Sequence, residues 1–207
     1  MSEKSAVFET TYQNYLDQLA AIDFLSRAAR LGAEITGETL VIPLYGTPYS
    51  ISRDGVRDAD GAQANFAISV VLCCYILQCP ATVPRAGEWM TYREFRNAGP
   101  LAGYFTANTQ KIIETSFAGN PAGLVAACQL LGGQPFEDGS SYDISQTFDF
   151  LPRIPVLLRF NDRDSEFPAQ CAIMFPASAE TFLDMECMAI GGTLLAGTMT
   201  QSLHGQA

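Results

Sequence analysis

The sequence is short of histidine and short of charge. Its single histidine, His204, stands in the C-terminal tail, whereas Ser–His or Cys–His nucleophilic catalysis needs an imidazole beside the nucleophile. That chemistry is excluded unless a rarer base replaces it. Charged residues make up 16% of the chain, against ~25% in ordinary soluble domains. The apolar excess implies a thick core, or surface covered by a protein partner or a second copy. There is no C-x-x-C, no G-x-x-x-x-G-K-S/T and no G-x-G-x-x-G between a strand and a helix, so nucleotide binding has no positive signal. No run of Lys or Arg could track a phosphate backbone, and 12 basic against 22 acidic residues give a net charge of −10. Nucleic acid is therefore excluded as an expected partner.

Long hydrophobic runs are also missing. The opening "MSEKSAVFETTYQNY" has no apolar stretch of signal length and carries Glu3 and Glu9, so a cytoplasmic protein is expected. Gly61 to Pro84 holds no charge, but its apolar centre, Phe66 to Leu77, is only ~12 residues where a membrane span needs ~20. It is read as a buried helix from about Ala62 to Gln78, with no membrane partner.

What is present is core. The chain has 207 residues, 48% of them hydrophobic, enough for one large domain. Six cysteines sit inside apolar runs and are read as small hydrophobes of a reducing compartment. Cys74 and Cys79 lack a second pair or a histidine to complete a tetrahedral metal set. Phe8, Tyr12, Tyr15, Leu16 and Leu19 follow helical spacing, within a helical segment over 5–32 in which Asp23 can cap a second short helix ended by Gly32.

Turn signals at Gly37, at Gly46 with Pro48, and at "RDG" divide a meander of strands Ala33–Thr36, Thr39–Leu44 and Tyr49–Ser52. An aromatic stretch with Trp89, Tyr92, Phe95, Tyr104 and Phe105 has neither clear period. Helices are expected over Asn108–Phe117 and, after the Asn120 cap, Pro121–Leu131. Strands are expected at Tyr142–Phe148, Val156–Phe160 and Cys171–Phe175, then a helix from about Ala179 to Met199 and a disordered tail over about 201–207. Gly191, Gly192 and Gly197 inside that last helix point to close packing. The expected fold is a single α+β domain over 1–207: antiparallel strands, an N-terminal meander plus a C-terminal hairpin or three strands, packed with about five helices. Whether the two strand sets share one sheet is left open.

Candidate sites are few. Asp162, Asp164 and Glu166 alternate as oxygen ligands do in the first half of a calcium loop, but Phe167 stands where such a loop has glycine and Ile173 where it has glutamate. A solvated hairpin tip is the preferred reading, with divalent-metal binding by these three as the alternative. Asp184 and Glu186 could serve as acid and base, but at the start of a helix they also stabilise its positive end, and that role is preferred. Arg153, between Pro152 and Pro155, could pair with an acid or anchor an anionic ligand. Trp89 and Tyr92 are the candidates to line a ligand pocket, although packing over a core edge is the commoner fate of such aromatics.

The segments "LPRIPVLLRFNDRDSEFPAQCAIMF", "FLDMECMAI", "GEWMTYREF" and "ACQLLGGQP" resemble the family called domain of unknown function 3786, over most of the chain. The resemblance rests chiefly on Arg153, Asp164, Glu166, Phe167 and Pro168. It implies a protein of anaerobic bacteria or archaea and no defined activity. Some relatives look to be joined to cysteine-rich, iron–sulfur-like segments; this chain carries no such extension, so no cluster and no other cofactor is assigned. The leading expectation is a non-enzymatic small-ligand-binding or accessory protein of anaerobic redox or cofactor metabolism. The alternatives are a carboxylate-based, divalent-metal-dependent enzyme and a structural interaction module.

Overall fold

A computed structural model describes the backbone of residues 3–204 and the side chains of residues 9–203. The expected disordered tail is helical as far as His204, and its last three residues lie outside the described ones.

The chain opens with α1 (Glu3–Ala20), then a 3₁₀ turn (Leu25–Arg27) running into α2 (Ala28–Leu31). Gly32 ends α2 in the left-handed conformation at φ 69°, where glycine carries no Cβ penalty. A four-stranded antiparallel sheet follows in simple meander order: β1 (Glu34–Thr36), β2 (Thr39–Leu44), β3 (Thr47–Ser52) and β4 (Gly55–Arg57). The hairpin between β2 and β3 turns on Tyr45 and Gly46, both at positive φ, as a two-residue turn matched to strand twist requires. The fourth strand was not expected, since only three residues pair after the "RDG" turn.

The uncharged segment is helical as α3 (Phe66–Leu77). It starts four residues later than expected because Ala62 and Ala64 are tied into the end of the meander, Ala64 N–H donating to the Val56 carbonyl. The Asn65 side chain then caps the helix by accepting from Ile68 N–H at 3.0 Å. Ser69 through Ile76 are all buried, so α3 has no wet face; it packs between α1, β4 and the last helix.

The aromatic stretch is more regular than its sequence. Trp89 begins β5 (Trp89–Thr91), and α4 (Gly99–Phe105) continues through a π-turn (Thr106–Gln110) into α5 (Lys111–Phe117). Gly99, Pro100 and Gly103 are poor helix formers, so helicity here rests on packing: the rings of Tyr92 and Phe105 stack at 4.3 Å, and Phe105 meets Phe175 edge-on at 6.1 Å. Next come α6 (Pro121–Leu130), capped by Asn120 as expected, β6 (Gln134–Pro135), β7 (Ile144–Leu151), β8 (Ile154–Asn161) and β9 (Gln170–Pro176).

These strands with β5 form a second antiparallel sheet in the order β5-β9-β8-β7-β6. The two sheets are separate, joined by Tyr45 N–H donating to the Phe150 carbonyl at 3.0 Å. The protein is thus α+β, with two antiparallel sheets and helices packed on them.

Expectation placed the last helix from Ala179; a 3₁₀ turn occupies Ala177–Thr181 instead, and α7 runs over Met185–His204. The helix starts where Asp184 supplies a cap, its Oδ1 accepting from Cys187 N–H at 2.7 Å. α7 touches α3, α4, α5, α6 and the π-turn, and glycines make that possible. A Cβ at Gly191 would lie 2.2 Å from the Phe150 ring, and one at Gly192 2.5 Å from Phe105 and from Thr109.

Candidate thiol–carboxylate site

The end of α3 meets the start of α7, and the side chains at this junction carry the chemistry. Cys74 lies in the last turn of α3 and Cys187 in the first turn of α7, and both are buried. Asp184, immediately before α7, is exposed. One ligand atom from each of the three lies within 4.8 Å of the others, the one group of this kind among the described residues. Cys74 Sγ stands 3.6 Å from Asp184 Oδ2 and donates to it.

The carboxylate is held rather than loose, because its other oxygen caps α7. Gln78, one turn beyond Cys74, donates from Nε2 to Cys74 Sγ at 3.1 Å and to Asp184 Oδ2 at 3.5 Å. This same C-terminal end of α3 is fixed by Arg27, whose guanidinium donates to the Ile76 and Leu77 carbonyls at 2.8 and 2.9 Å, a cation at the negative end of a helix.

The electrostatics are those of crowded acids. Contact with the Cys74 thiol, burial and the Asp184 charge all push the Cys187 thiol far up. Tyr15, from α1, is pushed up to about 12 by burial and by Cys187, Cys74, Asp184 and Glu186, which places its hydroxyl in the field of the same group. Tyr92 is also raised to about 12, by burial and then by Asp184 and Glu186; its hydroxyl donates to the Met185 carbonyl at 2.6 Å.

Of the residues singled out from the sequence, Asp184 joins this group; Arg153, Trp89 and the acidic-loop residues lie elsewhere, and the structure ties most of them into the scaffold. Arg153 caps α2, donating from Nε to the Arg30 carbonyl at 3.0 Å and from Nη2 to the Ala29 carbonyl at 2.8 Å. Trp89 packs edge-on to Phe136 at 6.0 Å. Tyr92 is buried under its stack with Phe105.

In the acidic loop, Asp162 Oδ1 accepts from Gly119 N–H and Arg163 N–H, both at 2.7 Å. Asp164 Oδ1 accepts from Glu166 N–H and Phe167 N–H, also at 2.7 Å, and these bonds hold its carboxyl below the usual range. Asp162 and Asp164 line an open depression of about 430 Å³, which Glu166 does not line. Asp162, Asp164 and Glu166 therefore shape a turn and are not brought together as a ligand group among the described residues.

Gln78, Cys187 and Tyr15 carry no site signal of their own in the sequence, and Cys74 stands out there only beside Cys79, which is not part of the group. The available signals were local and weak: Cys74 with Gln78 four residues on, and Asp184 with Cys187 three residues on. Cys74 and Asp184 are 110 positions apart, and only the docking of α3 on α7 joins them.

Comparison with known proteins adds a family. Residues 23–198 match the family model described as a domain of unknown function, DUF3786. The chain belongs to the DUF3786 family. Cys74, Gln78, Asp184 and Cys187 all fall within the DUF3786 match, whereas Tyr15 precedes it. No curated protein and no solved structure matches the chain.

Proposed function

We propose that this member of the DUF3786 family is a non-enzymatic binding protein, an accessory factor that holds a small ligand at Cys74, Asp184 and Cys187. The observation carrying this reading is the convergence of two buried sulfurs and one carboxylate from two different helices. A buried thiol in an apolar core needs no carboxylate and no amide donor as neighbours, and here it has both.

Holding suits the site better than turnover. His204 ends α7, about 25 Å along the helix from Cys187 at the ~1.5 Å rise per residue, too far to serve as its base. Two thiols this close are also most stable as a free pair in a reducing setting, which fits an accessory role in anaerobic redox or cofactor metabolism.

The test is native mass spectrometry of the full chain purified without oxygen and without chelator. A ligand mass retained by the natural protein and lost from the folded Cys74→Ala/Cys187→Ala double variant is the expected result. Equal masses for the two, after allowing for the substitutions, overturn the reading. Turnover abolished by Glu166→Gln with the fold intact would replace it with carboxylate-based catalysis.

A further inference from the structure

The donor atoms of this site also name a ligand class, in an argument that rests on the binding reading above. We infer that Cys74, Cys187 and Asp184 bind one thiophilic divalent metal ion of the zinc type, with Gln78 as the outer hydrogen-bond donor. Zinc bonds to sulfur at ~2.3 Å and to carboxylate oxygen at ~2.0–2.2 Å, so a tetrahedral ion separates two such ligands by about 3.6 Å. Cys74 Sγ and Asp184 Oδ2 are 3.6 Å apart. Two sulfurs on a tetrahedral ion lie about 3.8 Å apart, and all three donor atoms here are within 4.8 Å of one another. The Cys74–Asp184 pair is thus already spaced for the ion, and Cys187 lies close enough to join it.

The surroundings are those of metal ligands. Outer-shell partners orient first ligands and tune them. Here Cys187 N–H holds Asp184 Oδ1, which leaves Oδ2 turned toward the sulfur. Gln78, capping the end of α3, directs its side-chain amide NH2 at both ligand atoms, the polarity that supports a thiolate and a carboxylate.

Donor softness narrows the ion further. Two sulfurs select against magnesium and calcium, while the carboxylate favours zinc over the all-sulfur sites preferred by monovalent copper. The charges balance when each thiol gives up its proton: two thiols and one divalent ion become two metal-bound thiolates and two released protons. Three protein donors leave a fourth position for water or a ligand atom.

The experiment is titration of the reduced full chain with zinc and, for a spectroscopic signal, with cobalt(II). One equivalent is expected to bind, with thiolate-to-cobalt charge-transfer absorption that zinc abolishes by displacement. Cys74→Ala or Cys187→Ala is expected to weaken binding more than ~100-fold and Gln78→Ala about 10-fold, the latter within the range for outer-shell partners. Asp184→Asn keeps a good helix cap and so separates ligation from folding; it is expected to weaken binding at least ~10-fold with the melting temperature of the metal-free protein little changed.

Binding without charge-transfer absorption, or binding unaltered in the double cysteine variant, overturns the inference. An organic mass retained through the cysteines, with no metal bound, overturns it while leaving the binding reading intact. No retained mass and no metal binding remove both.

Discussion

Replacing Gly191 by alanine adds one methyl group where Phe150 already stands. The new carbon would lie 2.2, 2.6 and 2.9 Å from three atoms of that ring. The ring has little room to retreat: Phe150 is fully buried and stacks on Tyr45 at 4.9 Å. Tyr45 in turn donates its hydroxyl to the Gly191 carbonyl at 3.0 Å. Overpacking of this kind costs ~1–3 kcal/mol, and three contacts this short argue for the upper end. Alanine recovers ~1 kcal/mol of helix propensity over glycine, leaving a net loss of about 2 kcal/mol, or roughly 4–8 °C in melting temperature for a chain of this size.

Gly197 is the internal control, because a Cβ there meets nothing within 4 Å. Gly197→Ala should keep the propensity gain and raise the melting temperature by roughly 2–4 °C. The assay is thermal and denaturant unfolding of the two variants beside the natural protein. A Gly191→Ala protein as stable as the natural one, or two variants shifting in the same direction, would refute the packing argument.

Other outcomes follow from the same contacts. Arg153→Ala removes two bonds to the last carbonyls of α2 and should cost about 1–2 kcal/mol by denaturant unfolding, since charged donors contribute ~1.5–3 kcal/mol when fully engaged; an unchanged midpoint would show the cap to be idle. Burial holds the thiols of Cys73 and Cys128 up at about 12, and Tyr15 and Tyr92 are held there too. Because the unfolded forms ionise first, the associated stability is complete below about pH 9 and is lost as pH rises through the folded values near 12. Unfolding midpoints should therefore fall between pH 9 and 11, and a flat profile there contradicts the burial of these groups. In the acidic loop, Asp164→Ala should speed amide exchange over 162–168 while Glu166→Gln does not. Stabilisation by calcium that Asp164→Asn abolishes would restore the loop as an ion site. Zinc binding by two protonated thiols should release close to two protons, read from calorimetry in buffers of different ionisation enthalpy.

Much of the scaffold was legible because its signals are local. Thr39–Leu44 is a strand by alternation and by structure, with Leu40, Ile42 and Leu44 inward. Asn120 and Pro121 open a helix, and Gly191 and Gly192 mark a close approach. What was missed depends on distant parts of the chain. Trp89–Thr91 has too few residues to show a period and is a strand because it pairs with β9. Gly99–Phe105 is helical although its glycines and proline disfavour it, because stacked aromatic rings fix it in place.

The site was hidden for the same reason. Cys74 and Cys187 each look like core, and as side chains of buried helices they are core. Asp184 was expected to stabilise a helix end, and it does so through Oδ1. Its other oxygen faces Cys74, a second role with no trace in local sequence. The alternation of Asp162, Asp164 and Glu166 is visible in the chain, yet the loop conformation directs Asp162 and Asp164 oxygens to backbone N–H groups.

The most direct test of the central claim is X-ray absorption at the zinc edge of the full chain loaded with one equivalent of zinc under reducing conditions. Cys74, Cys187 and Asp184 as ligands predict two sulfurs at about 2.3 Å and oxygen at about 2.0–2.2 Å, with the sulfur shell lost in the Cys74→Ala/Cys187→Ala variant. A shell of oxygens alone, or of four sulfurs, would contradict the assignment.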